Sequence, residues 1–256
     1  MFEFLGERTI YFYALLAVLV VGSIQSIMLG ILYFMKNSGV RKANFFYSLL
    51  LIGFGLTLLH NIGVITGFFS HYPALLYLPV YYTLSLPVFI FFYVKLNLYP
   101  NYKIRSTDLK HFFLPVSQLI FFIVLFFSGT DLQEQFNRNF YNPLFGAFEQ
   151  LLYIISFFAY LYFSRRYIQT KKAELSKDGM SKSILYLEKF IQVLFYLFCL
   201  HTFFLLIDFF SYEFFNINLR DSKPFAGISI MSFAALVYWI SLYGFQTLIW
   251  GKKIFK

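Results

Sequence analysis

The chain has 256 residues, of which 59% are hydrophobic, 24% aromatic and only 13% charged, whereas a soluble domain carries about a quarter charged residues. With a mean hydropathy of +0.67, it has too few charges to cover a water-facing surface, so the solvent it expects is lipid. One cysteine, Cys199, excludes an internal disulfide and any multi-cysteine zinc or redox motif. The net charge of +9 raises the question of a nucleic-acid surface, which the placement of the charges answers below.

The N-terminus bears Glu3 and Glu7 against a single Arg8 and lacks the basic region of a signal peptide, so its long apolar run is expected to remain as the first membrane helix. Seven apolar segments follow in order, at residues 10–35, 45–65, 74–94, 112–127, 148–163, 190–210 and 226–249. Each is near the roughly 20 residues that cross a bilayer as a helix. Together they predict an all-α fold: one integral membrane domain of seven transmembrane helices. Tyr11, Tyr13, Tyr72, Tyr212 and Trp250 fall at segment ends, where amphipathic rings favour the membrane interface. Gly22, Ser26 and Gly30 in the first segment and Gly53 and Gly55 in the second supply the small residues that close helix packing requires.

The connections alternate in charge. All but four of the 21 Lys and Arg residues lie in the first, third and fifth connections and the C-terminal tail; the exceptions are Arg8, Arg138, Arg220 and Lys223. By the positive-inside rule this places the N-terminus outside and the C-terminus in the cytoplasm. The basic balance is then topogenic, and no nucleic-acid binding is expected of the chain. The longest inner connection, residues 164–189, is expected to extend the fifth helix into the cytoplasm and to turn at Asp178–Gly179. It is either a solvated, topology-setting loop or a docking surface led by Arg165, Arg166, Lys171 and Lys172.

Ionisable groups inside membrane segments are expensive and are functional candidates by default. Here they are His60, Glu149, His201 and Asp208, with Asn61 beside the first. The alternating topology puts all of them toward the outer half. They are either interfacial residues with one interhelical hydrogen bond, or a ligand-binding pocket for a small polar or cationic molecule that also senses protons. Pro79 and Pro87, both in the third segment, are expected to bend it, either as a static kink or as a hinge. Pro115 reads as a helix start.

No GxSxG, P-loop, HExxH or GxGxxG motif is present, and the seventh segment lacks the lysine of a retinal protein. No enzyme activity, cofactor or metal is expected. A solute transporter or channel is the alternative function, and a metal-dependent membrane hydrolase using His60, His201 and Asp208 is a weaker one.

The run LSLPVFIFFYVKLNLYP, with Pro87 and Phe92–Lys95, and LKHFFLP, with His111–Pro115, resembles the membrane region of the AraC-type transcriptional regulators of Bacteroidetes. QSIMLGILYFMKN, RKANFFYSLLL and VYWISLYGFQ fit the same pattern. In that family a cytoplasmic helix-turn-helix domain follows the last helix, whereas this sequence stops at GKKIFK, as a truncated or stand-alone relative would. The resemblance implies a sensor in a bacterial inner membrane that passes an outside signal to a cytoplasmic effector or partner, with self-association as a further expectation. It implies no ligand and no catalytic residues.

Overall fold

The computed structural model describes residues 10–37, 39–175, 182–217, 219 and 222–254. The turn expected at Asp178–Gly179 lies outside them, as do Arg8, Arg220 and the Trp250 side chain. Among the described residues the fold is all-helical. Six helices are long and apolar enough to cross a membrane: α1 (Ile10–Met35), α2 (Arg41–Ile65), α5 (Phe113–Phe127) with the 3₁₀ turns Ser106–Phe112 that lead into it, α7 (Gly146–Leu175), α8 (Lys182–Phe215) and α9 (Lys223–Ile254). Their outward faces carry apolar side chains, among them Met28, Val124, Ile155, Phe203 and Phe245. Such a surface is a liability in water and suits a multi-pass membrane protein.

α1 and α2 pack closely along their small residues. Ser23 and Ser26 donate to the carbonyls of Gly55 and Leu51, and Ser48 donates back to Gly30. A Cβ on Gly55 would sit 2.6 Å from Ile27 Cγ1 and 3.1 Å from the Ser23 carbonyl, so the approach depends on glycine.

The third apolar segment departs from its expected form. Instead of a continuous bent helix over residues 74–94, the chain leaves α2 at Gly67, whose φ of +72° suits glycine. It makes one helical turn, α3 (Phe68–His71), and a 3₁₀ turn at Pro73–Leu75. It then runs irregularly to Thr83, and only Leu86–Leu98 forms a true helix, α4. Pro79 lies in the irregular stretch. Pro87 occupies the first turn of α4, where its missing N–H costs nothing. Neither proline kinks a helix, because Pro79 disfavours helix in the residue before it and the helix begins after it.

At about 1.5 Å per residue α4 is about 20 Å long, too short for a hydrocarbon core of about 30 Å. It is nevertheless buried along almost its whole length, packed against α2 and α7. The irregular stretch before it is mostly half-buried, with Tyr77 buried and Tyr81 and Thr83 bordering a cavity; irregular backbone at membrane depth is tolerated where protein or a cavity borders it.

The outer connection between α5 and α7 is helical as well: α6 (Thr130–Phe136) runs through a wide turn, Asn137–Phe145, into α7. The long helices alternate in direction along the chain, with α1 and α9 side by side and parallel, and the bundle has two different ends. Lys36, Lys95, Lys171 and Lys172 mark a basic end; the end of α2, the start of α7, the end of α8 and the start of α9 meet at the other.

Candidate functional site

A cavity of about 460 Å³ opens at the end opposite the lysines. Its walls are Thr57 and Asn61 of α2, Tyr81 and Thr83 of the irregular stretch, Tyr141 of the wide turn before α7, Glu149, Gln150 and Tyr153 of α7, His201 and Asp208 of α8, and Ser229 and Phe233 of α9. Four residues singled out from sequence, Asn61, Glu149, His201 and Asp208, therefore line one space. His60 does not line it; its ring packs on Phe69 and on the cavity-lining Tyr81, each with centroids 5.0 Å apart, and its buried Nδ1 has no hydrogen-bond partner.

Glu149 is 5% exposed and is held through a network that begins in the irregular stretch. Gln118 of α5 accepts from the Leu84 N–H at 3.1 Å and donates through Nε2 to Thr83 Oγ1 at 3.1 Å and to Glu149 Oε1. Tyr141 donates to Glu149 Oε2 at 3.0 Å. The Gln118 carbonyl thus satisfies an N–H of the 3₁₀ turn that leads into α4, and its amide reaches the carboxylate. Every partner of Glu149 in this network is neutral.

On the facing wall, Ser232 donates to the Ser229 carbonyl at 2.6 Å, and His201 Nδ1 lies 2.9 Å from Ser232 Oγ. Because the serine proton is already engaged, Nδ1–H is the donor to Oγ, and Nε2 is left as the acceptor. Gln150 donates to the Leu205 carbonyl at 3.1 Å and ties α7 to α8. The Tyr153 hydroxyl is buried in the cavity wall without a partner. Among the described residues no three His, Cys, Asp or Glu side chains gather as a metal site.

Below the cavity the bundle is filled. Phe157 and Phe198 stack at 3.8 Å, and Phe54 packs on Phe233 at 5.5 Å. Nearer the basic end Tyr47 sits among Tyr33, Tyr93, Phe190 and Tyr243. These tyrosine hydroxyls are satisfied: Tyr33 bonds the Gly244 carbonyl and Thr247, Tyr47 donates to the Ile240 carbonyl, and Tyr93 donates to Tyr243. Gly244 makes room for the Tyr47 ring, with 3.0 Å from a virtual Cβ to Cε1.

The basic end carries its own polar cluster. Lys95 pairs with Asp108 at 3.1 Å, with 7% of each side chain exposed. Asp108 also accepts from Tyr102 at 2.8 Å and from the Arg105 N–H at 2.9 Å, and the Lys95 ammonium lies 3.9 Å from the Tyr102 ring centroid. Lys172 bridges α7 to Glu188 of α8 at 2.8 Å, and Lys171 pairs with Glu174. Arg165 and Arg166 are exposed. Lys36 donates to the Thr247 carbonyl at 3.3 Å, and burial pushes its ammonium below the ordinary lysine value.

The sequence patterns do not single out Gln118, Tyr141, Tyr153 or Ser232. Tyr153 was legible, lying one helical turn beyond Glu149 on the same face; Gln118 and Ser232 come from other helices, with no such signal. Compared with family models, curated proteins and solved structures, the chain matches none.

Proposed function

We propose that this protein is a receptor-type signal transducer of a bacterial inner membrane. It binds a small molecule in the cavity and relays the event to its basic, cytoplasmic end. In this reading the chain crosses the bilayer seven times, with α4 and the irregular stretch before it as the third crossing. The N-terminus is outside and the C-terminus inside, as the charge alternation requires.

The observation that carries the proposal is a polar cavity at one end above a floor packed solid with Phe54, Phe157, Phe198 and the tyrosine cluster. A conduction path would need polar or hydrated groups through that floor. A receptor needs a closed one and a mechanical link. Support for the link comes from α4, which follows directly on Thr83 in the cavity wall and carries Lys95 of the basic cluster. The resemblance to AraC-type membrane regions points the same way. Exposed Arg165 and Arg166 are then the docking residues for an effector or a second copy, while Lys171 pairs within α7 and Lys172 ties α7 to α8.

A Cys199→Ser background carrying Arg165→Cys or Arg138→Cys tests both parts. Membrane-impermeant thiol reagent added to intact cells is expected to label position 138 and spare position 165. In proteoliposomes, a ligand of the cavity is expected to change the fluorescence of a dye at position 165 without solute flux. Selective flux would replace this reading with a transporter.

A further inference from the structure

Resting on the reading of the cavity as a ligand site, we propose that its ligand is an organic ammonium ion: a protonated amine on a short apolar body. Glu149 lies in the wall, nine-tenths or more buried, and both of its oxygens accept only from uncharged groups, Gln118 and Tyr141. A second carboxylate, Asp208, faces the same space from α8. Among the described residues that line the cavity, none is Lys or Arg. An anion would meet the Glu149 carboxylate, and a neutral molecule would leave it without a countercharge. A cation supplies one.

The remaining chemistry distinguishes an organic cation from a metal ion. Hard metal ions take six or more oxygen ligands, and no metal-ligating trio is present among the described residues. The cavity wall instead offers an ammonium one further acceptor, the Nε2 of His201. Its aromatic wall includes Tyr81, Phe209, Phe225 and Phe233. Ring faces attract ammonium groups and cover an apolar body. A volume of about 460 Å³ suits a small organic molecule.

The test is the thermal unfolding of the full chain in nanodiscs, titrated with alkylammonium ions from methyl to octyl and with the matching alcohols and carboxylates. At least one alkylammonium is expected to raise the midpoint saturably, at a concentration ten-fold or more below that of its alcohol, while the carboxylate has no effect. Glu149→Gln is expected to fold and to lose that ten-fold preference. Asp208→Asn, as a second variant, is expected to weaken it. The proposal is overturned if no alkylammonium stabilises saturably, if the alcohol or carboxylate matches it, or if the preference survives in both variants. Stabilisation reads binding alone, so ammonium flux would sink the receptor reading and leave the cation site standing. Carboxylate binding without flux would do the reverse.

Discussion

Asp108 and Glu149 are both carboxylates withdrawn from water, one at each end of the bundle. Asp108 faces an ammonium at 3.1 Å and receives two further hydrogen bonds, from Tyr102 and the Arg105 backbone. Glu149 receives a glutamine amide and a tyrosine hydroxyl. One tyrosine hydroxyl at the cavity differs from those near the basic end. Tyr33, Tyr47 and Tyr93 near the basic end are all bonded, whereas Tyr153 in the cavity wall is not. Desolvating a charge costs several kcal/mol unless a partner offsets it, so the basic end is built to hold together. The cavity end retains polar groups whose best partners come from outside the chain.

The contrast breaks if the same acid-to-amide change acts alike at both ends. Asp108→Asn strands the buried Lys95 ammonium and is expected to lower unfolding stability by about 3–5 kcal/mol, as loss of one partner of a buried pair does. Denaturant titration in micelles measures it. Glu149→Gln keeps the hydrogen-bonding shape and removes an unpaired charge. It is expected to shift the same titration the other way, by about 1–2 kcal/mol. A loss of stability there would mean that Glu149 has a countercharge after all.

The tyrosines give a finer version of the comparison. Tyr47→Phe deletes a satisfied bond to Ile240 and leaves its carbonyl short of a donor, for an expected cost of about 1 kcal/mol. Tyr153→Phe deletes a hydroxyl that bonds nothing and is expected to change stability by less than about 0.5 kcal/mol. A large loss at Tyr153 would reveal a partner for its hydroxyl within the fold.

How much of this was legible beforehand differs from element to element. α1 has the bounds read from its hydropathy, and α7 and α8 extend their apolar segments by the charged turns that flank them. The third segment was misread because hydropathy counts apolar side chains and is blind to whether the backbone closes its own hydrogen bonds. YPALLYLPVYY is apolar enough for a helix, but its two prolines disfavour one and leave it irregular. His60 ranked with the site residues because it is ionisable. Rotation about the α2 axis turned it onto Phe69 and Tyr81 and turned Asn61 to the cavity.

By itself, then, the sequence determined the solvent, the long apolar helices and the alternation of basic connections, because these depend on composition summed over each segment. Only the tertiary structure decided that the shortest apolar helix is the most enclosed, that Gln118 of α5 reaches Glu149 of α7, and that aromatic packing closes the cavity toward the basic end. Each of these depends on which faces of different helices meet. That is a property of packing between segments far apart in the chain, and no local pattern encodes it.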